Sequence, residues 1–346
     1  MGWAEGDLYS GQWQSIHAKA YKYLKVLVTG ANGYVAAWVI KDLLEHGYAV
    51  RGTVRSESKA TYLREYFKAF GNKLEIVIVE DITAVRPLPS WSRLLSQHFP
   101  PHAFPALYTG WRVRRTCCRR RRDRTHASLV SLSDGDPSEI SQPAGTRTVL
   151  ASALLHRTRV RRVFITAALT AGTRVDPQGR TSATIDESSW DEDGANHCEE
   201  KGRDAEPLHK YRASKVLAER AAWEFHETAK KELGEKEEAL GWDLVVFCPL
   251  FVFGPVVYES PSLETFGSTQ ADWYKRVVRV KGETGGAMGN VTLMKFGVVC
   301  RFGIVDVRDL ARAFVLGLEN LSLKEEAGGE RFIICSFRAC WQDFSE

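Results

Sequence analysis

The chain has 346 residues, 44% of them apolar, and carries 47 basic against 43 acidic residues for a formal charge of +4. Those proportions suit an ordinary folded enzyme-sized protein and argue against a disordered, collagenous or disulfide-built chain. Seven cysteines without regular spacing point to reduced thiols and offer no zinc pattern, so no metal is expected.

Residues 1–22 form a polar leader with scattered Trp3 and Trp13 and no signal-peptide core; its role is not legible. The longest apolar stretch, Leu244 to Val257, is too short and too broken by Pro249, Gly254 and Pro255 to cross a bilayer. A cytoplasmic location without membrane contact is the expectation.

Lys25 to Thr29 is a short apolar run suited to a buried parallel strand, and Val35, Val39, Ile40, Leu43 and Leu44 then make one helical face closed by Gly47. Between them the spacing is Gly-x-x-Gly-x-x-Ala. Gly30 permits the turn, Gly33 lets backbone approach a pyrophosphate, and Ala36 lets the helix sit close to the strand. Such a glycine pattern alone also fits a loop that binds nothing, but strand before and helix after favour a nucleotide site. Gly30, Asn32, Gly33, Tyr34 and Val35 are its expected contacts.

The next strand, Ala49 to Val54, ends in Arg55, where a dinucleotide-binding unit usually places an acidic residue on the ribose. With Lys59 one helical turn on, this cation suits a 2′-phosphate and hence NADP rather than NAD; two solvated charges are the plain alternative. A third strand, Leu74 to Val79, leads to Asp81 and Ile82 as a lip for the adenine.

Residues 84–133 break the pattern with prolines and then with eight arginines against one aspartate between Arg112 and Arg124. No convincing core strand appears there, with 127–132 the only weak candidate. Setting aside that arginine run moves the formal charge from +4 to about −3, so the remainder is mildly acidic. The run has charge enough to grip a polyanion, yet without interleaved aromatics a nucleic-acid partner is not expected.

An apolar helix from Val149 and a strand from Arg162 follow, ending in Thr166-Ala167-Ala168. The loop Asp186 to Glu206 is acidic, and His197-Cys198 within it lacks the spacing of a four-ligand site. Tyr211 and Lys215 then stand four apart on a strongly helical stretch, so phenol and ammonium share one face. The cation is expected to lower the phenol pKa and make Tyr211 a proton donor or acceptor, although Tyr-x-x-x-Lys alone is usually a surface pair. Further along the helix, Ala221, Ala222, Trp223 and Phe225 suit either core or the face of a homodimer.

These residues together resemble the extended short-chain dehydrogenase/reductases (the NAD-dependent epimerase/dehydratase superfamily), in the branch of dihydroflavonol reductases and fungal ketone and methylglyoxal reductases. Asp186-Glu187-Ser188-Ser189-Trp190 is similar to that branch's acidic-tryptophan loop, Pro249 to Pro255 to its turn beside the nicotinamide, and Val305 to Asp309 to a strand-helix junction of its substrate region. The resemblance implies a doubly wound Rossmann sheet of α/β class, NADP(H) as cofactor, and reduction of a ketone or aldehyde. Tyr211 would protonate the alkoxide, Lys215 would hold the nicotinamide ribose, and Pro249 and Val252 would border the cofactor.

Two departures stand against it. The family serine that hydrogen-bonds the carbonyl falls at Ala168, and losing one such donor typically costs about 100- to 1000-fold in rate. Thr166 and Thr170 share that strand face but are displaced by about 7 Å along it. The fourth buried strand of the family falls in 84–133, so abruptly altered that a local frame change in the coding sequence competes with a basic insertion.

The expected organisation is therefore an NADP-binding Rossmann domain over 23–255, with 84–133 aberrant and its fourth strand doubtful, and a substrate region over 256–346, shorter than in the family. Reduction of a small carbonyl compound by NADPH is the leading function. An NADP-binding pseudoenzyme disabled at Ala168 and a basic nucleic-acid-interacting module remain as alternatives.

Overall fold

The computed structural model describes residues 25–80, 82, 142–157, 160–168, 185–233, 240–257, 269–270, 302–319 and 331–339, and the backbone of 106–109. In chain order the strands are β1 (Lys25–Thr29), β2 (Ala49–Val54), β3 (Leu74–Ile78), β4 (Ala106–Thr109), β5 (Arg162–Thr166), β6 (Asp243–Pro249), β7 (Phe251–Phe253), β8 (Phe302–Asp306), β9 (Arg331–Ile334) and β10 (Phe337–Ala339). The α-helices are α1 (Tyr34–Glu45), α2 (Glu57–Tyr66), α3 (Gln142–Leu155), α4 (Glu192–Lys201), α5 (Pro207–Leu233) and α6 (Val307–Glu319).

β1 is buried throughout, with Val26 and Val28 in one apolar cluster and Leu27 in another. A strand alternates its side chains, so this division means protein on both faces, as a parallel sheet demands. β5 and β6 repeat it: Phe164, Val245 and Phe247 face the first cluster, while Val163, Ile165, Leu244 and Val246 face the second. All pairings in this seven-stranded sheet are parallel, in the order β3-β2-β1-β4-β5-β6-β9. Order reverses between β1 and β4, the switch point of a doubly wound fold.

One face is covered by α1 packed on α6, the other by α3 packed on α5. On the first face Phe164, Phe247 and Phe314 form a ring trio with centroids 4.8 to 5.5 Å apart. Each such pair adds about 0.5 to 1.5 kcal/mol beyond the area it buries. At the amino end of the strands, Arg162 faces Asp243 across β5 and β6 at 2.6 Å, both buried. A one-residue slip would leave both charges unpaired in the core, which fixes this register.

The fourth strand is a correction to the sequence reading, which finds no convincing strand between 84 and 133. Ala106–Thr109 lies between β1 and β5, in register Val26↔Ala106 to Thr29↔Thr109 on one side and Ala106↔Arg162 to Thr109↔Ile165 on the other. Four residues between a proline and a glycine are too few for a periodicity signal; pairing with two buried neighbours, not local propensity, makes this strand. The weaker candidate at 127–132, the rest of 84–133 apart from those four residues, and the leader 1–22 lie outside the described residues.

A second sheet, ordered β10-β8-β7, stands beyond the carboxyl end of β6. Its neighbour β9 also comes from beyond residue 255 and completes the main sheet against β6. Among the described residues no helix is long and apolar enough to cross a membrane.

Candidate active site

Parallel strands end on one edge, and the strand order reverses there between β1 and β4, the place where a doubly wound sheet takes its ligand. Directly after β1, Gly30 takes φ +61°, a conformation that favours glycine. Its N–H donates to Thr53 Oγ1 at 3.3 Å and the Ala31 N–H to the Thr53 carbonyl at 2.8 Å, locking the turn to β2. The Gly33 N–H folds back onto the Gly30 carbonyl at 2.8 Å. Gly33 then begins α1 without any side-chain cap, and no acidic residue occupies the first turn. The amide groups at this helix start thus meet no competing carboxylate of their own helix, which fits a pyrophosphate.

Asn32 is half-buried within the same turn, and Val35 packs against the first apolar cluster. The Tyr34 hydroxyl donates to the Gly254 carbonyl at 2.8 Å, and Trp38 Nε1–H to the Pro255 carbonyl at 2.7 Å. Helix α1 is thereby tied to the turn after β7. Gly254 itself sits at φ +125°, and a Cβ there would lie 2.9 Å from Val307 Cγ1, so only glycine suits the turn. Trp38 is absent from the sequence reading; its position one turn after Tyr34 on the same face is the signal that could have found it.

Arg55 follows β2 and Lys59 lies in the first turn of α2, both half-buried at this edge. Ile82 is half-buried against the second apolar cluster, whereas Asp81 lies outside the described residues. Pro249 ends β6, and Val252 pairs with Val305 in the small sheet.

Tyr211 and Lys215 occupy the second and third turns of α5. The start of this helix is held by Arg212, whose Nε donates to Asp191 at 2.6 Å; Asp191 is fully buried and also caps α4 through the Gly194 N–H at 3.0 Å. Lys215 Nζ lies 5.9 Å from the Tyr211 ring centroid. Burial pulls the Lys215 ammonium down to about 8 and pushes the Tyr211 phenol up to about 12. The expected lowering of the phenol pKa is therefore corrected: loss of solvent sets the direction, and it is upward. Tyr211 is a neutral phenol throughout the physiological range, which is the proton-donating form.

One turn beyond Lys215, Glu219 is fully buried and accepts from Arg331 Nε at 2.7 Å. Arg331 also donates to the Glu187 and Ser189 carbonyls at 2.8 and 2.7 Å, and its guanidinium lies 4.4 Å from the Trp190 ring centroid. Burial pushes the Glu219 carboxyl up, and the Arg331 guanidinium works against that rise. This network pins the acidic-tryptophan loop to α5 and β9. The sequence reading misses both members, because their partners lie more than a hundred positions apart. Glu219 alone is findable, as a carboxylate on the Tyr211–Lys215 face.

Ala167 and Ala168 are buried just past β5, where the Ala167 N–H donates to the Phe247 carbonyl at 2.8 Å. Neither side chain offers a hydrogen-bond donor. Thr166 keeps a buried hydroxyl that meets no partner among the described residues; Thr170 lies outside them. Free amides at a helix start, a buried cation and a neutral phenol are thus on hand, while neither Ala167 nor Ala168 adds a side-chain donor.

No protein-family model matches the chain. It is 30% identical over 319 residues to the ketoreductase azaE of Aspergillus niger, covering 89% of this chain and 76% of that one. It is 27% identical over 311 residues to the putative NADPH-dependent methylglyoxal reductase GRP2 of Candida albicans, covering 89% and 77%. In structure it is similar to Gre2 from Candida albicans solved with NADPH, with a TM-score of 0.68 at 24% identity over 92% of this chain and 80% of that one.

Proposed function

The chain belongs to the extended short-chain dehydrogenase/reductases, in the branch of dihydroflavonol, ketone and methylglyoxal reductases, and on that premise we propose that it reduces a ketone or aldehyde with NADPH. The observation that carries this reading is that one doubly wound sheet bears an uncapped helix start at Gly33, directly after β1, and on a helix of the opposite face a half-buried Tyr211 with a buried Lys215 one turn on. NADPH, when bound, supplies the hydride that reaches the carbonyl carbon.

The residues of the chain do the rest. The amides after Gly30 would hold the pyrophosphate, Arg55 and Lys59 would meet the 2′-phosphate, and Ile82 would border the adenine. Lys215 orients the nicotinamide ribose beside Pro249 and Val252. Tyr211, kept neutral by burial, passes its proton to the carbonyl oxygen as negative charge develops, so that carbonyl, hydride and proton become the alcohol. Ala168 supplies no second donor, which sets the rate below that of a site with a serine there. The named activities of the relatives favour this reading over a pseudoenzyme or a nucleic-acid module. The arginine run on which the latter rests lies outside the described residues. A cytoplasmic setting is part of the same proposal, and among the described residues no helix is long and apolar enough to cross a membrane.

The test is NADPH-dependent thermal shift followed by loss of NADPH absorbance with a panel of small ketones and aldehydes. A higher melting temperature with NADPH and oxidation in the presence of a carbonyl compound is the expected outcome. Binding without oxidation would overturn the catalytic part, and no shift in folded protein would overturn the cofactor assignment.

A further inference from the structure

Helices α4 and α5 are joined through a short 3-10 turn, Gly202–Asp204, and share a small core of Cys198, Ala205 and Ala213. This hairpin gathers three side chains that are separate in sequence. His197 comes from α4, Glu206 from the residue before α5, and His209 from the first turn of α5. One ligating atom from each lies within 4.8 Å of the others.

His197 Nε2 is 2.5 Å from Glu206 Oε2, and the His197 and His209 rings lie 4.2 Å apart between centroids with planes at 31°. His209 Nδ1 is buried and makes no hydrogen bond among the described residues. A histidine–carboxylate pair accounts for two of these groups. It does not account for a second imidazole tilted against the first with a bare, buried nitrogen, a group that normally finds a partner. Two imidazoles and a carboxylate are the donor set that suits a divalent transition ion, and Cys198 is turned into the helix–helix core rather than towards them.

We propose that His197, Glu206 and His209 form a binding site for a divalent cation of the imidazole-preferring class, Zn²⁺ foremost, with water in the remaining position. His209 precedes Tyr211 by two positions, about 200° around the helix axis. The cation therefore sits on the side of α5 away from the phenol and clamps the helix start onto α4, at the junction that Arg212 and Asp191 hold from within. It takes no part in hydride or proton transfer, and it stands independently of the reductase reading.

The test uses the full-length chain freed of metal by a chelator and titrated with Co²⁺. The expected result is the intense visible absorption of a four-coordinate ion, without a thiolate charge-transfer band, lost on adding Zn²⁺. Zn²⁺ should also raise the melting temperature. His197→Ala and His209→Ala should each weaken Zn²⁺ binding by roughly tenfold or more, while His46→Ala, at a histidine elsewhere, should not. A pale six-coordinate spectrum, a thiolate band, or unchanged affinity in both histidine variants would overturn the proposal. The spectrum is read on the unaltered chain, so misfolding of a variant does not blur the outcome, and NADPH binding measured in parallel bears only on the reductase reading.

Discussion

The turn after β1 and the Tyr211–Lys215 face of α5, which we propose share one site, are built from different materials. The first is backbone: a left-handed glycine, amides anchored on Thr53, and a helix start left without a cap. The second is side chains, a half-buried Tyr211 followed on successive turns by the buried Lys215 and Glu219, with Arg331 reaching in from β9. Backbone amides point at an anion at little cost in stability, because helix starts leave them free in any case. Buried ionisable groups carry a standing cost, tolerated where the chemistry needs a shifted pKa or a fixed position.

If that contrast is right, substitutions in the two regions should fail differently. Tyr211→Phe removes only the proton donor, and turnover should drop by about 10²- to 10⁴-fold with NADPH affinity unchanged, as steady-state kinetics and calorimetry would show. Glu219→Gln leaves Arg331 buried without its counter-charge, and denaturant unfolding should register a loss of about 3 to 5 kcal/mol.

Lys215→Met should act in the opposite sense. The folded-state pKa of Lys215, about 8, lies below its ordinary 10.5, so between these values the unfolded chain holds the extra proton and stability climbs with pH. The penalty is fully present below that window. Removing the ammonium should therefore stabilise the protein by about 2 to 3 kcal/mol at neutral pH and by little above about pH 10, while abolishing reduction. Unfolding midpoints at the two pH values would check it.

Ala168→Ser restores a donor at the end of β5 and should raise the reduction rate about tenfold or more without altering cofactor affinity. An unchanged rate would move the deficit elsewhere. The smallest effect is expected at a half-buried cation just after β2. Arg55→Ala should lower the affinity for NADPH relative to NADH by roughly three- to tenfold, since a partly solvated charge contributes modestly. Competitive binding of the two coenzymes measures it.

The same contrast explains what can be read from the sequence. A phosphate-binding turn is a matter of spacing, so Gly30, Gly33 and the flanking strand and helix are legible in the order of residues alone. Tyr211 and Lys215 are equally legible because a helix translates a four-residue interval into one face. Their pKa values are not: the direction for Tyr211 depends on how much protein surrounds it, and no sequence interval encodes that. Arg331 and Trp38 escape for a related reason, since each acts through a partner brought near only by the finished sheet. β4 escapes because its neighbours define it.

That short strand has a further consequence. β4 joins β1 to β5 through four paired residues on each side, at the point where the strand order reverses and where we propose the coenzyme lies. A dinucleotide bridging that point would fasten the two flanks together as a splint does. Holding the coenzyme would then be part of how the fold stays closed, whatever the pace of the chemistry.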